Sequence, residues 1–132
     1  MTINYKTDTR PQVKEVSELF KSSGIKRPYH DLERLQSMID NADVVITAWD
    51  GLQLIGIARA ITDYSYCCYL SDLAVHKDYQ KNGIGKNLIQ HLRNVLGDGV
   101  SLLLLSAPSA MDYYPKLNFE RTEKAFIIPR NA

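Results

Sequence analysis

The residues Gln80-Lys-Asn-Gly83-Ile-Gly85-Lys86 bring together groups suited to holding an anion. Two glycines open an apolar helical stripe, so unpaired backbone N–H groups and the positive end of the helix dipole face whatever lies before it. Without Cβ atoms at Gly83 and Gly85 an anion can approach the backbone closely, and Lys81 and Lys86 add charge. The spacing is neither that of a Walker A loop nor that of a G-x-G-x-x-G dinucleotide fingerprint. From the residues alone, a diphosphate cradle and an ordinary glycine-capped helix turn are both consistent with this run.

The surrounding pattern supplies the elements that would position such a loop. Thr2–Lys6 reads as an edge strand, and Thr9-Arg-Pro-Gln12 has capping-box spacing ahead of a helix carrying Val13, Val16, Leu19 and Phe20 and stopped by Gly24. A second helix is expected from about Asp31 to Asp40. The period then shortens: Val44–Trp49 and Leu52–Ile61 flank the hairpin signal Asp50-Gly51, and Tyr64–Val75 follows as a third strand. Helix Gly83–Leu96 and strand Val100–Ser106 complete a βαβ crossover, which makes strands 64–75 and 100–106 parallel. Ser109–Tyr114 starts a short helix that Pro115 must kink or end, and Phe119–Ile128 closes the chain as one or two strands. The expected fold is α/β: a mixed, mostly antiparallel sheet with a central βαβ crossover and about four helices, forming a single domain over residues 1–132.

Sixteen Lys+Arg against fifteen Asp+Glu give a net charge of +1, too balanced for a dedicated nucleic-acid binder. The segment 76–93 nevertheless carries +3, leaving −2 on the remainder. No apolar run is long enough to span a bilayer, and the N-terminus lacks the apolar stretch of a signal peptide. Adjacent Cys67 and Cys68 would point to opposite faces of a strand and suit a reducing compartment, so a cytoplasmic protein without nucleic-acid or membrane partners is expected. His30, His76 and His91 are too scattered for a zinc site, and no metal is expected.

Leu73-Ala-Val75 followed by Gln80-x-x-Gly-x-Gly85 resembles motif A of the Gcn5-related N-acetyltransferase (GNAT) superfamily. Downstream, Ala110-Met-Asp-Tyr-Tyr114-Pro-Lys-Leu-Asn-Phe119 is similar to the family's A-x-x-F-Y-x-K-L-G-F segment, with Tyr113 for Phe and Asn118 for Gly. The resemblance covers nearly the whole chain and implies acetyl-CoA as co-substrate. Backbone around Leu73, Ala74 and Val75 would align the pantetheine where two parallel strands splay. Gln80, Lys81, Asn82, Gly83, Ile84, Gly85 and Lys86 would form the pyrophosphate loop. Tyr114 would protonate the departing thiolate. Two departures stand out: Ala107 replaces a common Asn, and Pro115 directly follows the tyrosine.

An amine acceptor must lose a proton before or during attack. Asp72 is the expected base, sharing a strand face with Tyr66, Cys68 and Leu70 where no bulge intervenes; the alternative is a carboxylate held in an ion pair. His76 and His30 are further candidates for the base. An acyl-enzyme on Cys67 or Cys68 is disfavoured, because buried cysteines usually serve packing. Tyr29, His30 and Tyr66 are candidate acceptor contacts. The tract Gly56–Lys86 looks like a plastid and bacterial branch associated with arylalkylamine acetylation, which favours a small, aromatic amine. A catalytically weak CoA-binding module and a peptide acetyltransferase are the competing readings. Ala125–Ile128 is an apolar edge through which a homodimer could form.

Overall fold

The computed structural model describes residues 2–131. Its elements are β1 (Asn4–Lys6), α1 (Val13–Ser23), α2 (Leu32–Asp40), β2 (Val44–Asp50), β3 (Gln53–Thr62), β4 (Cys67–Val75), α3 (Ile84–Leu96) and β5 (Ser101–Leu103). The five strands form one sheet in sequence order. Pairings from β1 to β4 are antiparallel, and β4–β5 is parallel across the α3 crossover, as the βαβ spacing requires.

Local chemistry accounts for most element boundaries. Glu15 Oε1 accepts from the Gln12 N–H at the start of α1, so the capping interaction lies three residues beyond the Thr9 expected from spacing. Gly24, at φ +82°, ends that helix in the left-handed region that costs a residue without Cβ nothing. Asp31 Oδ1 caps α2 by accepting from Arg34 N–H. The β3–β4 turn is longer than expected because Asp63 Oδ1 accepts from the N–H groups of Ser65, Tyr66 and Cys67, which curls residues 63–66 out of the strands. Strand β4 therefore begins at Cys67 rather than Tyr64.

Each face of the sheet buries a separate apolar cluster. On one, α3 places Ile84, Leu88, Ile89 and Leu92 against Val44, Ile46, Ile55, Cys68 and Leu70. Contact there is close: a Cβ on Gly56 would lie 3.1–3.2 Å from side-chain carbons of Leu88, Ala48 and Ile84. On the other, Val16, Leu19 and Phe20 of α1 and Leu35 and Ile39 of α2 cover Val45, Trp49, Ile57 and Ala74.

The C-terminal quarter departs from expectation. Strand β5 is three residues long rather than seven, and the anticipated fourth helix is replaced by 3₁₀ turns at Pro108–Ala110 and Tyr114–Leu117. Pro115 within the second turn cannot donate the hydrogen bond a continuing helix needs. Residues 119–128 form no strand, since an apolar segment becomes one only against a hydrogen-bonding neighbour; Phe126 and Ile128 are almost fully exposed.

Leu88→Ala should cost about 2–5 kcal/mol of unfolding free energy, because it opens a cavity between α3 and the sheet. Urea denaturation of this variant beside Leu52→Ala, whose side chain is exposed, checks the packing; equal midpoints would contradict it.

Candidate active site

Strand β4 carries an irregularity at its centre. Arg59 pairs with Asp72 and Ala60 with Leu70, which leaves Ser71 as an extra residue. The side-chain alternation inverts there. Cys68 and Leu70 face the α3 cluster, as do Leu73 and Val75 beyond the bulge, whereas Ala74 joins the α1–α2 cluster. Asp72 therefore does not share a face with Cys68 and Leu70, and the uninterrupted alternation expected from the sequence is corrected by this single residue.

Asp72 is completely buried between two arginines. Arg27 Nε donates to Oδ1 and Arg59 Nε to Oδ2, each at 2.5 Å. The same arginines grip the bulge residue: Arg27 Nη2 donates to the Ser71 carbonyl at 2.7 Å and Arg59 Nη2 to Ser71 Oγ at 2.9 Å. This is the ion-paired alternative for Asp72, with both oxygens occupied by charge-assisted bonds. Neither arginine was singled out from sequence, because they lie 45 and 13 residues from their shared partner. The one available signal was an arginine in the otherwise apolar Leu54–Ile61 run.

Beyond the bulge, β4 loses its neighbour. The last β4–β5 pair is Tyr69 with Leu103, so the edge of residues 70–75 facing β5 carries no strand partner. At its far end stands the glycine-rich loop. Lys81 and Gly83 take positive φ (+67° and +77°), turning the chain sharply into α3, whose N-terminus no side chain caps. Gln80 Nε2 donates to the Val75 carbonyl, and Asn82 Nδ2 to the carbonyls of Tyr79 and Gln80, so these side chains brace the loop. Ile84 is buried and anchors the helix start, while Lys86 is exposed. At Gly85 a Cβ would lie 2.5 Å from Tyr113 Oη and 3.8 Å from Leu73 Cδ2. A side chain at this point would have to displace the Tyr113 hydroxyl.

Tyr114 packs against the α3-side cluster, edge-on to Phe119 and Tyr113. Its phenol pKa is raised, chiefly by burial and further by Tyr113, while Arg27 acts in the opposite direction. Asn118 adopts φ +71° where the resembled motif has glycine; among non-glycine residues asparagine tolerates that region well, so the substitution preserves the turn. Ala107 precedes the 3₁₀ turn Pro108–Ala110 and provides no side-chain cap.

The remaining candidates divide. Tyr29 and His30 pack ring to ring in the α1–α2 loop that carries Arg27. Tyr66 is highly exposed at the start of β4, where its carbonyl accepts from Ser101 N–H, roughly 20 Å along the strand from Asp72. His76 Nδ1 accepts from Asp78 N–H. Cys67 is exposed and Cys68 buried, and burial pushes the Cys68 thiol pKa up. Among the described residues, no His, Cys, Asp or Glu cluster suits a metal ion.

Residues 14–127 match the family model described as acetyltransferase (GNAT) domain. The chain belongs to the GNAT acetyltransferase family. It is 30% identical over 114 residues to the uncharacterized N-acetyltransferase ycf52 of Pyropia yezoensis, an alignment covering 80% of this chain and 63% of that protein. It is thus shorter than that relative's full length. A similar solved structure is a probable acetyltransferase of unknown function from meticillin-resistant Staphylococcus aureus (TM-score 0.84, 24% identity, 98% of this chain and 100% of that one). Another is AAC(6')-Iy bound to a CoA-containing bisubstrate analogue (TM-score 0.74, 14% identity, 100% of both chains). At these identities the likeness is one of fold. Acetyl-CoA is the co-substrate this family implies, and the GNAT chain suits it: an uncapped helix start, a glycine at positive φ turning the chain into it, and a strand edge open to an extended chain.

Removing the shared carboxylate leaves two guanidiniums unpaired in the interior. Asp72→Ala should lose about 3–5 kcal/mol of stability, whereas removing the exposed Asp112 partner of Arg121 should leave the unfolding midpoint unchanged. Thermal denaturation of both variants checks this; an Asp72→Ala protein as stable as the parent would refute the clamp.

Proposed function

We propose that this GNAT chain is an N-acetyltransferase that moves the acetyl group of acetyl-CoA directly to a small primary amine, with residues 1–132 forming one catalytic domain. The observation that carries the reading is the open β4 edge between an uncapped helix N-terminus and a half-buried tyrosine.

Acetyl-CoA supplies a thioester carbonyl and a thiolate leaving group. The amides from Lys81 to Lys86 receive the pyrophosphate at the positive end of α3, and Lys81 and Lys86 contribute charge. Backbone of Leu73, Ala74 and Val75 aligns the pantetheine as an added strand, and β4 amides beside the bulge polarise the carbonyl. One N–C bond forms as the C–S bond breaks. Tyr114 gives its phenolic proton to the sulfur and is reprotonated from solvent, while the ammonium acceptor loses one proton to solvent-borne base before attack and a second as the N–C bond forms. In this reading Asp72 positions rather than accepts, since its two oxygens hold Arg27 and Arg59.

The phenol must be protonated to act, and burial raises its pKa above the ordinary value of 10.0. Any fall in rate from its deprotonation therefore lies on the alkaline side of that value. Tyr29 and His30 form part of the acceptor wall; Tyr66 is too distant to contribute. The two free thiols favour a reducing compartment, consistent with a cytoplasmic enzyme. Ala125–Ile128 offers an apolar segment for a homodimer.

Thiol release from acetyl-CoA, measured across arylalkylamines, amino acids, polyamines, aminoglycosides and peptides, tests the reading. Tyr114→Phe should lower kcat roughly 100-fold or more while leaving CoA affinity unchanged. Unaltered turnover would remove Tyr114 from the reaction, and release with no member of the panel would refute the transferase assignment.

A further inference from the structure

The clamp on Asp72 does not balance electrically. One carboxylate faces two guanidiniums, and arginine stays protonated throughout the accessible pH range. No other carboxylate bonds to either arginine among the described residues: Arg59 additionally donates to the Met38 carbonyl and Ser71 Oγ, Arg27 to the carbonyls of Lys26 and Ser71. The cluster thus holds one surplus positive charge in a largely dehydrated setting.

The two arginines are not equally available. The Arg59 side chain is 10% exposed and Arg27 23%. A guanidinium has five N–H donors, and Arg27 commits one each from Nε, Nη1 and Nη2. One hydrogen on each terminal nitrogen therefore has no protein acceptor, which leaves two donors for an anionic group.

Its position assigns the ligand. The pyrophosphate loop and the side chains of Leu73 and Val75 lie with the α3 face, whereas Asp72 draws Arg27 in from the α1–α2 loop that also carries Tyr29 and His30. The CoA phosphates are thus served from the other side of β4. Arg27 nevertheless bonds the Ser71 carbonyl at the bulge, next to the unpartnered edge of residues 70–75, and so stands at that edge on the side left for the acceptor.

We infer that Arg27 is an acceptor-specificity residue: its free N–H pair binds a carboxylate on the acceptor, so the preferred substrate is a primary amine that also bears a carboxylate. This deepens the N-acetyltransferase reading and rests on it. The surplus charge has a second consequence of the same sign, because it repels polycations such as polyamines and aminoglycosides. Asp72 fixes the guanidinium, and Arg59 keeps Asp72 paired when Arg27 is replaced, so Arg27 variants retain a neutralised core.

The test compares kcat/KM for matched acceptors, an aromatic amino acid against its amide and its decarboxylated amine, with the corresponding aminoalkyl phosphate as a second anion. Spermidine serves as the polycation. Parent, Arg27→Gln and Arg27→Lys enzymes are assayed. The parent should favour the carboxylate over the amide and the decarboxylated amine by at least about tenfold, and spermidine should be the poorest. Arg27→Gln should abolish that ratio, and Arg27→Lys should restore part of it. A ratio within one enzyme does not depend on its folded fraction, so a stability loss cannot imitate the result. Parent preference for the neutral amine or spermidine, or a ratio unchanged in Arg27→Gln, overturns the inference while leaving acetyl transfer intact. Preference for the phosphate over the carboxylate overturns the carboxylate assignment. No transfer to any acceptor overturns the N-acetyltransferase reading itself, and this inference with it.

Discussion

A buried carboxylate cannot stay charged without partners, and in this protein that requirement organises the centre of the molecule. Asp72 draws one arginine from the neighbouring strand and another from a loop 45 residues earlier in the chain. Both also hold Ser71, so the ion pair and the bulge are one structure. Surface salt bridges contribute little to stability, but a buried, doubly hydrogen-bonded one fixes geometry because breaking it strands a charge. The loop between α1 and α2 is thereby tied to the strand edge where a thioester would lie.

The bulge also divides the labour of the two sheet faces. By inverting the alternation of β4 it sends Leu73 and Val75 toward α3 and Ala74 toward α1 and α2. The glycine-rich loop proposed to hold phosphates lies on the α3 side, where the charge of residues 76–93 is +3. The overall near-neutrality therefore hides two local excesses of positive charge: one along α3 and the loop entering it, the other a single charge in the cluster around Asp72. Strand β4 separates them.

Much of this was legible in the residues. Periodicity located α1, α2 and α3, Asp50-Gly51 marked the hairpin, and β4–α3–β5 followed from the crossover pattern. The glycine loop was visible because helix starts and glycine spacing are local properties. What lay hidden was nonlocal or contextual. Nothing in Cys67–Val75 announces that Ser71 is extra, since a bulge depends on the register of β3. The partners of Asp72 could not be read from spacing because they meet only in the folded chain. Residues 119–128 have the apolar content of a strand, but strand formation needs a neighbour, and Phe126 and Ile128 find none. Asn118 illustrates the opposite case: an apparent departure from the motif preserves its backbone geometry.

The claim on which the account turns is that the open edge of β4 and the start of α3 together form one CoA site. Titrating the isotope-labelled protein with CoA and following its backbone amide resonances tests this directly. The account predicts the largest changes at residues 71–75 and 81–86, saturating together with a single affinity. Changes concentrated elsewhere, for instance around Thr7–Arg10 and Asp43 before the start of β2, would contradict it.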